Sequence, residues 1–517
     1  MHDANETGAG DAAHPHDLSG EAEPGIWRYA MAERVSVIVD AADYFAVMQQ
    51  AMLNARSRIF MIGWDFDTRI HLAAGRRWFE KGSKRTYPSR LGSFFVWLVR
   101  KRPALEIRIL KWSFGVFKFA IRSSMWADLL RWWPHRRIDF KFDSAHPVGC
   151  SHHQKIVVLD NRLAVCGGID MTVKRWDDRE HLEEQEYRKT PWGRPYGPWH
   201  DATMMMEGDV ALALAELGEE RWGRAGGKPL KPIPSRCDSL WPDALPVQFE
   251  NVEIGISRTV ARHRDWDQVR EIETLFTQHI RRARRTIYAE SQYFASRAIA
   301  EAVVARLAED DPPEIVVVHP ANADGWLEQQ AMDHARAELV RTIEAADRHG
   351  RFSLWMPYTG DTPIYVHAKI LIVDDEVFRI GSANMNNRSL GLDSECDVSI
   401  DCARPINSHC GPVIRGLRHS LLAEHCGVAE DKIADLLDEA GSIRAFIERA
   451  GRQEGVRRTL RRYHPPELSA VELALAESAV LDPESPADMF EPYAKGGLFR
   501  EGGRLERVRR GMRRRRR

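Results

Sequence analysis

Residues 150–170 read CSHHQKIVVLDNRLAVCGGID, and residues 365–384 read YVHAKILIVDDEVFRIGSAN. The first stretch carries His153, Lys155, Asp160, Gly167 and Asp170. The second carries His367, Lys369, Asp374, Gly381 and Asn384, each 214 positions after its counterpart. From average residue usage, the histidine–lysine–aspartate spacing alone matches with a probability on the order of 10⁻⁴ per start position. Two matches in one register, with the glycines in step, mark an internal repeat. On a strand, residues two apart face the same side. Each copy therefore offers an imidazole and an ammonium side by side, on an element whose apolar continuation anchors it in a core and whose aspartate closes it at a turn. The glycines let backbone approach the same place closely.

The repeat extends outward from these motifs. ARSRIFMIGWDF from Ala55 and ARRTIYAESQYF from Ala283 share a helix end followed by an apolar strand pattern. LEIRIL from Leu105 pairs in position with PEIVVV from Pro313, and IDFKF from Ile138 with FSLWM from Phe352. Between them lie amphipathic stretches with apolar residues at helical spacing. Strands alternating with such helices predict an α/β layer structure in two similar halves. The expected division is a disordered segment 1–26, a first half 27–225, a Pro/Gly-broken linker 226–250 and a second half 251–430. A helical appendage 431–480 outside the paired cores and a disordered basic tail 481–517 complete it.

Bulk composition narrows the class. The 517 residues are 44% hydrophobic and 29% charged, as in a globular protein with sizeable cores. A formal net charge of −1 argues against a dedicated polyanion binder, and no nucleic acid partner is expected. The arginine-rich end RLERVRRGMRRRRR, from Arg504, reads either as a solvated charge run or as a contact for anionic lipid or nucleic acid. Seven cysteines without a CxxC pair fit reduced thiols, and Cys402, Cys410 and His419 match no zinc spacing. The acidic start lacks the apolar segment of a signal peptide, and no uncharged run reaches ~20 residues. A cytoplasmic or peripherally membrane-associated protein is the expectation. The aromatic and basic stretch from Ile109 to Trp133 reads as a half-buried helix, with a lipid-facing surface as the alternative.

Two imidazoles and two ammonium groups in one cleft suit an anionic substrate, and a phosphodiester fits best. Lysines would bind the nonbridging oxygens and stabilise developing charge. A neutral histidine could attack phosphorus while a protonated one gives its proton to the leaving alkoxide. The scheme calls for no metal or other cofactor, but it needs environments that separate the two histidine pKa values.

At this point the chain resembles the phospholipase D superfamily, whose signature is a duplicated H-x-K-x4-D motif. GGIDMTVKRWDD from Gly167 and PWHD at Pro198 look like segments of eukaryotic-type members. IYAESQYF from Ile287 is similar to the family's YIENQFF, and IGSANMNNRSLGLDSECDV from Ile380 and LRHSLLAEHCG from Leu417 follow family patterns. The likeness covers roughly residues 30 to 430. It implies two α/β halves, each a mixed sheet flanked by helices, about a pseudo-twofold axis with one active site at their interface. It also groups His153, Lys155, Asp160, His367, Lys369 and Asp374 as catalytic, with His153 as nucleophile and His367 as general acid, then base. Lys155, Lys369 and Asn384 match phosphate-binding positions, Asp170 stands at the place of Asn384 in the first half, and Ser382 belongs with this group. Glu395 lies where a carboxylate orients an active-site histidine. For the first half, Glu183, Glu184, Glu186 and Asp201 remain open as orienting carboxylates.

The activity so implied is a phospholipase D acting on phosphatidylcholine-like lipid at a membrane or micelle surface. It would yield phosphatidic acid through a phosphohistidine that alcohols can also capture. Cardiolipin synthase or another phosphatidyltransferase, and a nuclease, share this chemistry. A non-catalytic lipid-binding descendant would usually have lost a histidine or lysine, and none is missing.

Overall fold

The computed structural model describes residues 23–73, 87–112, 123–234, 238–264, 266–321, 326–453 and 455–465. Most of the acidic start, the whole arginine-rich end and residues 113–122 of the aromatic, basic stretch lie outside them. Where that stretch resumes, helix Ser123–Trp132 buries Met125 and Trp132 but leaves Leu130 and the following Trp133 exposed.

Apolar strands of four to twelve residues pair into one ladder, and each half contributes its strands in the same order. From outer edge to junction, the first half runs Ile138–Asp143, Glu106–Trp112, Arg58–Gly63, Ile156–Leu159, Leu163–Gly167, Ala202–Glu207 and Arg28–Val39. The second runs Phe352–Thr359, Glu314–Val318, Thr286–Glu290, Ile370–Val373, Val377–Gly381, Glu395–Asp401 and Phe249–Val260. The outer three strands of each half are parallel and the rest antiparallel, so both sheets are mixed. The halves join where Arg28–Val39 pairs antiparallel with Phe249–Val260.

Amphipathic helices cover the sheets because their apolar residues recur every three or four positions. Helix Ala41–Asn54 buries Tyr44, Phe45, Met48 and Met52, and its counterpart Glu271–Arg282 buries Ile272, Leu275, Phe276 and Ile280. These faces build two separate cores, one per half. A third core is shared: strand residues of both halves meet in it with helices Asp209–Arg224 and Gly411–Cys426. No helix among the described residues is long and apolar enough to cross a membrane.

Two segments differ from the sequence reading. Residues beyond 430 were expected outside the paired cores, yet strand Arg458–Arg462 pairs antiparallel with Phe352–Thr359 and extends the second sheet. Helix Ile443–Ala450 is likewise docked: Ile443 and Arg444 donate their backbone N–H groups to the Glu314 carboxylate, at 2.9 and 2.8 Å. A carboxylate suits a helix N-terminus because the free N–H groups there carry positive partial charge. Residues 226–248 contain no regular element among those described, but they are strapped down, with Leu240 and Trp241 buried and Glu207 accepting from Ser239 and Leu240.

Candidate active site

Both motif histidines sit on the seam, and backbone bonds across it place them there. His153 N–H donates to Ser394 O at 2.9 Å, and His367 N–H donates to His200 O at 2.7 Å. Trp199–His200 and Tyr365–Val366 form a short parallel pair that carries the second of these bonds. Each lysine folds back beside its own histidine: Lys155 Nζ donates to His153 O at 2.8 Å, and Lys369 Nζ donates to His367 O. Both lysines are buried, Lys369 also reaching Gln292 Oε1 at 3.2 Å and Lys155 lying 3.6 Å from Asp170.

The imidazoles are oriented crosswise. His153 Nδ1, in the first half, lies 3.0 Å from the Glu395 carboxylate of the second. His367 Nδ1, in the second half, lies 2.7 Å from Asp201 of the first. With Nδ1 held in both rings, Nε2 is the nitrogen left for chemistry, since the hydrogen bond on one ring nitrogen sets the role of the other. Asp201 is thus the orienting carboxylate that the sequence left open. Glu183 is occupied elsewhere, accepting from Thr362 at 2.9 Å. Ser382 braces the opposite pair, donating its hydroxyl to Glu395 and accepting His153 Nδ1 at its carbonyl.

The glycines have a specific task here. A Cβ on Gly168 would stand 2.1 Å from Asp201 Oδ1, and one on Gly381 would overlap the Asp397 carboxylate. Only a bare backbone fits beside these groups. Asp170 and Asn384, equivalent in the repeat, are both buried, and each has a side-chain oxygen with no hydrogen-bond partner.

Two members of the expected catalytic set fall elsewhere. Asp160 accepts the backbone N–H groups of Arg56, Ser57 and Arg58, and Asp374 those of Arg284, Arg285 and Thr286, all within 2.6–2.8 Å. Both occupy tight turns in which two successive residues take positive φ: 51° and 53° at Asp160 and Asn161, 55° and 57° at Asp374 and Asp375. Five strand steps of ~3.3 Å separate each from its motif lysine, roughly 16 Å. They fasten the chain leaving a helix to the turn of a hairpin and do not reach the cleft.

Sequence reasoning also missed several site residues. Arg175 lies over the Trp199 ring at 4.3 Å, and Trp199 stacks on Tyr365 at 4.5 Å and packs 5.2 Å from His367. Trp64 meets His153 edge-on at 6.1 Å. Burial, followed by the charges of Lys369, Arg175 and Lys155, pushes His367 well below its ordinary range, so it is neutral without a ligand. Burial also lowers Lys369 to about 7, with Lys155 adding to the effect and Asp201 opposing it. Asp201 is raised by its own burial against the pull of Lys369 and Arg175.

Comparison with known proteins adds what the chain is similar to. Residues 276–410 match the family model described as "Cardiolipin synthase, PLD-like domain". By this match and those to curated relatives, the chain is similar to the phospholipase D superfamily. Among curated relatives, it is 24% identical over 399 residues to phospholipase D alpha 1 of Zea mays, an alignment covering 54% of this chain and 49% of that one. Against phospholipase D alpha 1 of Arabidopsis thaliana it is 23% identical over 404 residues, covering 55% and 50%. The chain spans about half the length of these relatives. The solved structure of phosphatidylserine synthase from Haemophilus influenzae Rd KW20 shares the fold. Its TM-score is 0.50 at 12% identity, over 80% of this chain and 94% of that one.

Proposed function

We propose that the protein is a phospholipase D, cleaving the head-group phosphodiester of a phosphatidylcholine-like lipid through a phosphohistidine. The observation that carries the reading is the crossed pair: two imidazoles, each held at Nδ1 by a carboxylate of the opposite half and each with a buried lysine beside it. The phosphate would lie on Lys155 and Lys369, near Arg175 and beside Asn384. Asp170 would set the position of Lys155. His153 Nε2 forms the bond to phosphorus as the bond to the head-group oxygen breaks, and His367 Nε2–H gives its proton to that oxygen. Water then yields a proton to His367 and displaces His153, leaving phosphatidic acid. His367 is neutral in the empty site because burial and three cations keep its proton off. A phosphodiester anion cancels much of that repulsion, so substrate binding itself prepares the general acid.

The same intermediate can pass to an alcohol, and the matched cardiolipin synthase model favours phosphatidyl transfer as a second outcome of this chemistry. The exposed Leu130 and Trp133 suit an enzyme working at a membrane or micelle surface. One assay tests the reading: phosphatidylcholine mixed micelles with ethanol, wild type against His153→Asn. Choline and phosphatidylethanol from wild type, both lost in a folded His153→Asn, are expected. No lipid product from folded wild-type protein rejects the phosphatidylcholine reading.

A further inference from the structure

Behind the crossed pair lies a second cluster that the proposed chemistry does not use. Asp40, His181, His200 and Glu424 are all buried, and one donor atom from each lies within 4.8 Å of the others. We propose that these four side chains form a binding site for a divalent transition-metal ion of the zinc class, which fastens the two halves together behind His367.

The separations fit such an ion. His181 Nε2 stands 3.4 Å from Asp40 Oδ2 and 3.1 Å from Glu424 Oε1. His200 Nδ1 stands 3.5 Å from Asp40 Oδ1 and 2.7 Å from the same Glu424 oxygen. Tetrahedral bonds of ~2.0–2.1 Å put donors roughly 3.3–3.4 Å apart, so the two gaps to the Glu424 oxygen, 3.1 and 2.7 Å, have to open. The outer nitrogen of each imidazole is tied to a carboxylate, as metal-bound histidines characteristically are. His181 Nδ1 lies 2.9 Å from Asp177, itself gripped by Arg188 at 3.0 Å. His200 Nε2 lies 2.7 Å from Glu290, whose other oxygen accepts from Tyr288 and His425. Both rings therefore turn their inner nitrogens toward one point.

Unpartnered atoms point there as well. Asp40 Oδ2 and His200 Nδ1 are buried without a hydrogen-bond partner. Two carboxylate oxygens lie within 3.5 Å of His200 Nδ1, but neither accepts along its N–H direction, so distance is met and hydrogen-bond geometry is not. A metal bond has no such requirement for a hydrogen on the line. Charge agrees: Asp40, Asp177, Glu290 and Glu424 face the two guanidinium groups of Arg179 and Arg188, which leaves two negative charges. One divalent ion neutralises them, and the competing solution is a proton on each of His181 and His200. The ion explains the two orphaned atoms and the protons do not.

Three of the donors come from the first half and Glu424 from the second. His200 also accepts the His367 backbone N–H, and Asp40 Oδ1 accepts that of Asp201 at 3.1 Å. The ion would thus be a positioning element for the Asp201–His367 pair, taking no part in bond making.

The test uses full-length protein purified without metal-affinity chromatography. Elemental mass spectrometry after dialysis is expected to return about one equivalent of zinc or manganese per chain. Glu424→Gln and Asp40→Asn should fall below about a fifth of an equivalent, while His263→Gln, outside the cluster, keeps its metal. Should those variants not fold, the wild type decides alone: a strong chelator lowers its melting temperature by several degrees, and zinc or manganese restores it. Protein without bound metal that takes up neither ion in a calorimetric titration, or that takes up calcium alone, overturns the proposal in favour of two buried protons. Metal retained by folded Glu424→Gln and Asp40→Asn overturns it too, by placing the ion elsewhere.

Discussion

Replacing Asp160 by asparagine separates two readings of the repeated motif. The carboxylate accepts three backbone N–H groups: Oδ1 takes Ser57 and Arg58 at 2.8 and 2.6 Å, and Oδ2 takes Arg56 at 2.6 Å. Asparagine keeps one oxygen for the first two but turns an NH₂ toward the third. It also tolerates the positive φ of 51° at this position, so backbone strain does not enter. Hydrogen bonds to a charged group contribute about 1.5–3 kcal/mol each. Losing one, and the charge assistance on two, costs about 3 kcal/mol. Unfolding entropy near 2.1 cal/mol/K per residue, over about 400 ordered residues, converts this to a drop of about 3–4 °C in Tm. The rate per folded molecule should stay within about threefold of wild type, because the carboxylate lies roughly 16 Å along the strand from Lys155. Thermal melting by circular dichroism and turnover well below the transition measure the two effects separately. Unchanged melting with a hundredfold loss of turnover would refute the reasoning and return Asp160 to the chemistry. Asp374→Asn should behave alike.

Two further perturbations probe the cleft, and a third an exposed helix position. Gly168→Ala puts a Cβ where Asp201 Oδ1 now stands, so it should release His367 and cut turnover about 100-fold; turnover near wild type would mean Asp201 does not orient that ring. Gly416→Ala, which meets nothing within 4 Å on its helix, should instead stabilise by about 0.5–1 kcal/mol, seen as a higher melting temperature. Lys369, at about 7 in the empty site, sheds its proton as pH rises through neutrality, while an anion binds its charged form. Affinity for a dialkyl phosphate should therefore weaken toward tenfold per pH unit above about pH 7. Calorimetry at pH 8 in buffers of differing ionisation enthalpy should show uptake of close to one proton, and none would exclude this lysine from the anion site.

The legible part of the molecule was what repeats along the chain. The two-residue gap between histidine and lysine, the apolar run behind it and the alternation of strand and helix are local patterns; the apolar runs form strands as read, while each histidine and lysine lies just before its strand and not on it. What stayed hidden depends on contacts made across the seam. No local pattern around Asp201 announces that it faces a histidine 166 residues away, and Glu395, which faces one 242 residues back, was expected to do so only through the family resemblance. Arg175 and Gln292 lie outside regular strands and helices, where spacing carries no directional information. Asp160 and Asp374 were grouped with the histidines because they recur with them, yet recurrence marks a shared fold as readily as a shared reaction. The strand Arg458–Arg462 escaped notice because RTLRR alternates little: charged side chains dominate an edge strand, whose far side needs no apolar partner.

The crossed orientation has a bearing on how this protein can be switched off or divided. Because each half supplies the carboxylate that the other half's imidazole needs, neither half holds a correctly posed histidine by itself. A small hinge at the seam would unseat both rings in the same movement, so intermediate degrees of opening have no working site. Cutting the chain in the 226–248 strap and keeping the pieces apart would leave two fragments, each with an intact motif and no competence. Duplication here did not produce two sites with a spare; it produced one site whose parts hold each other hostage.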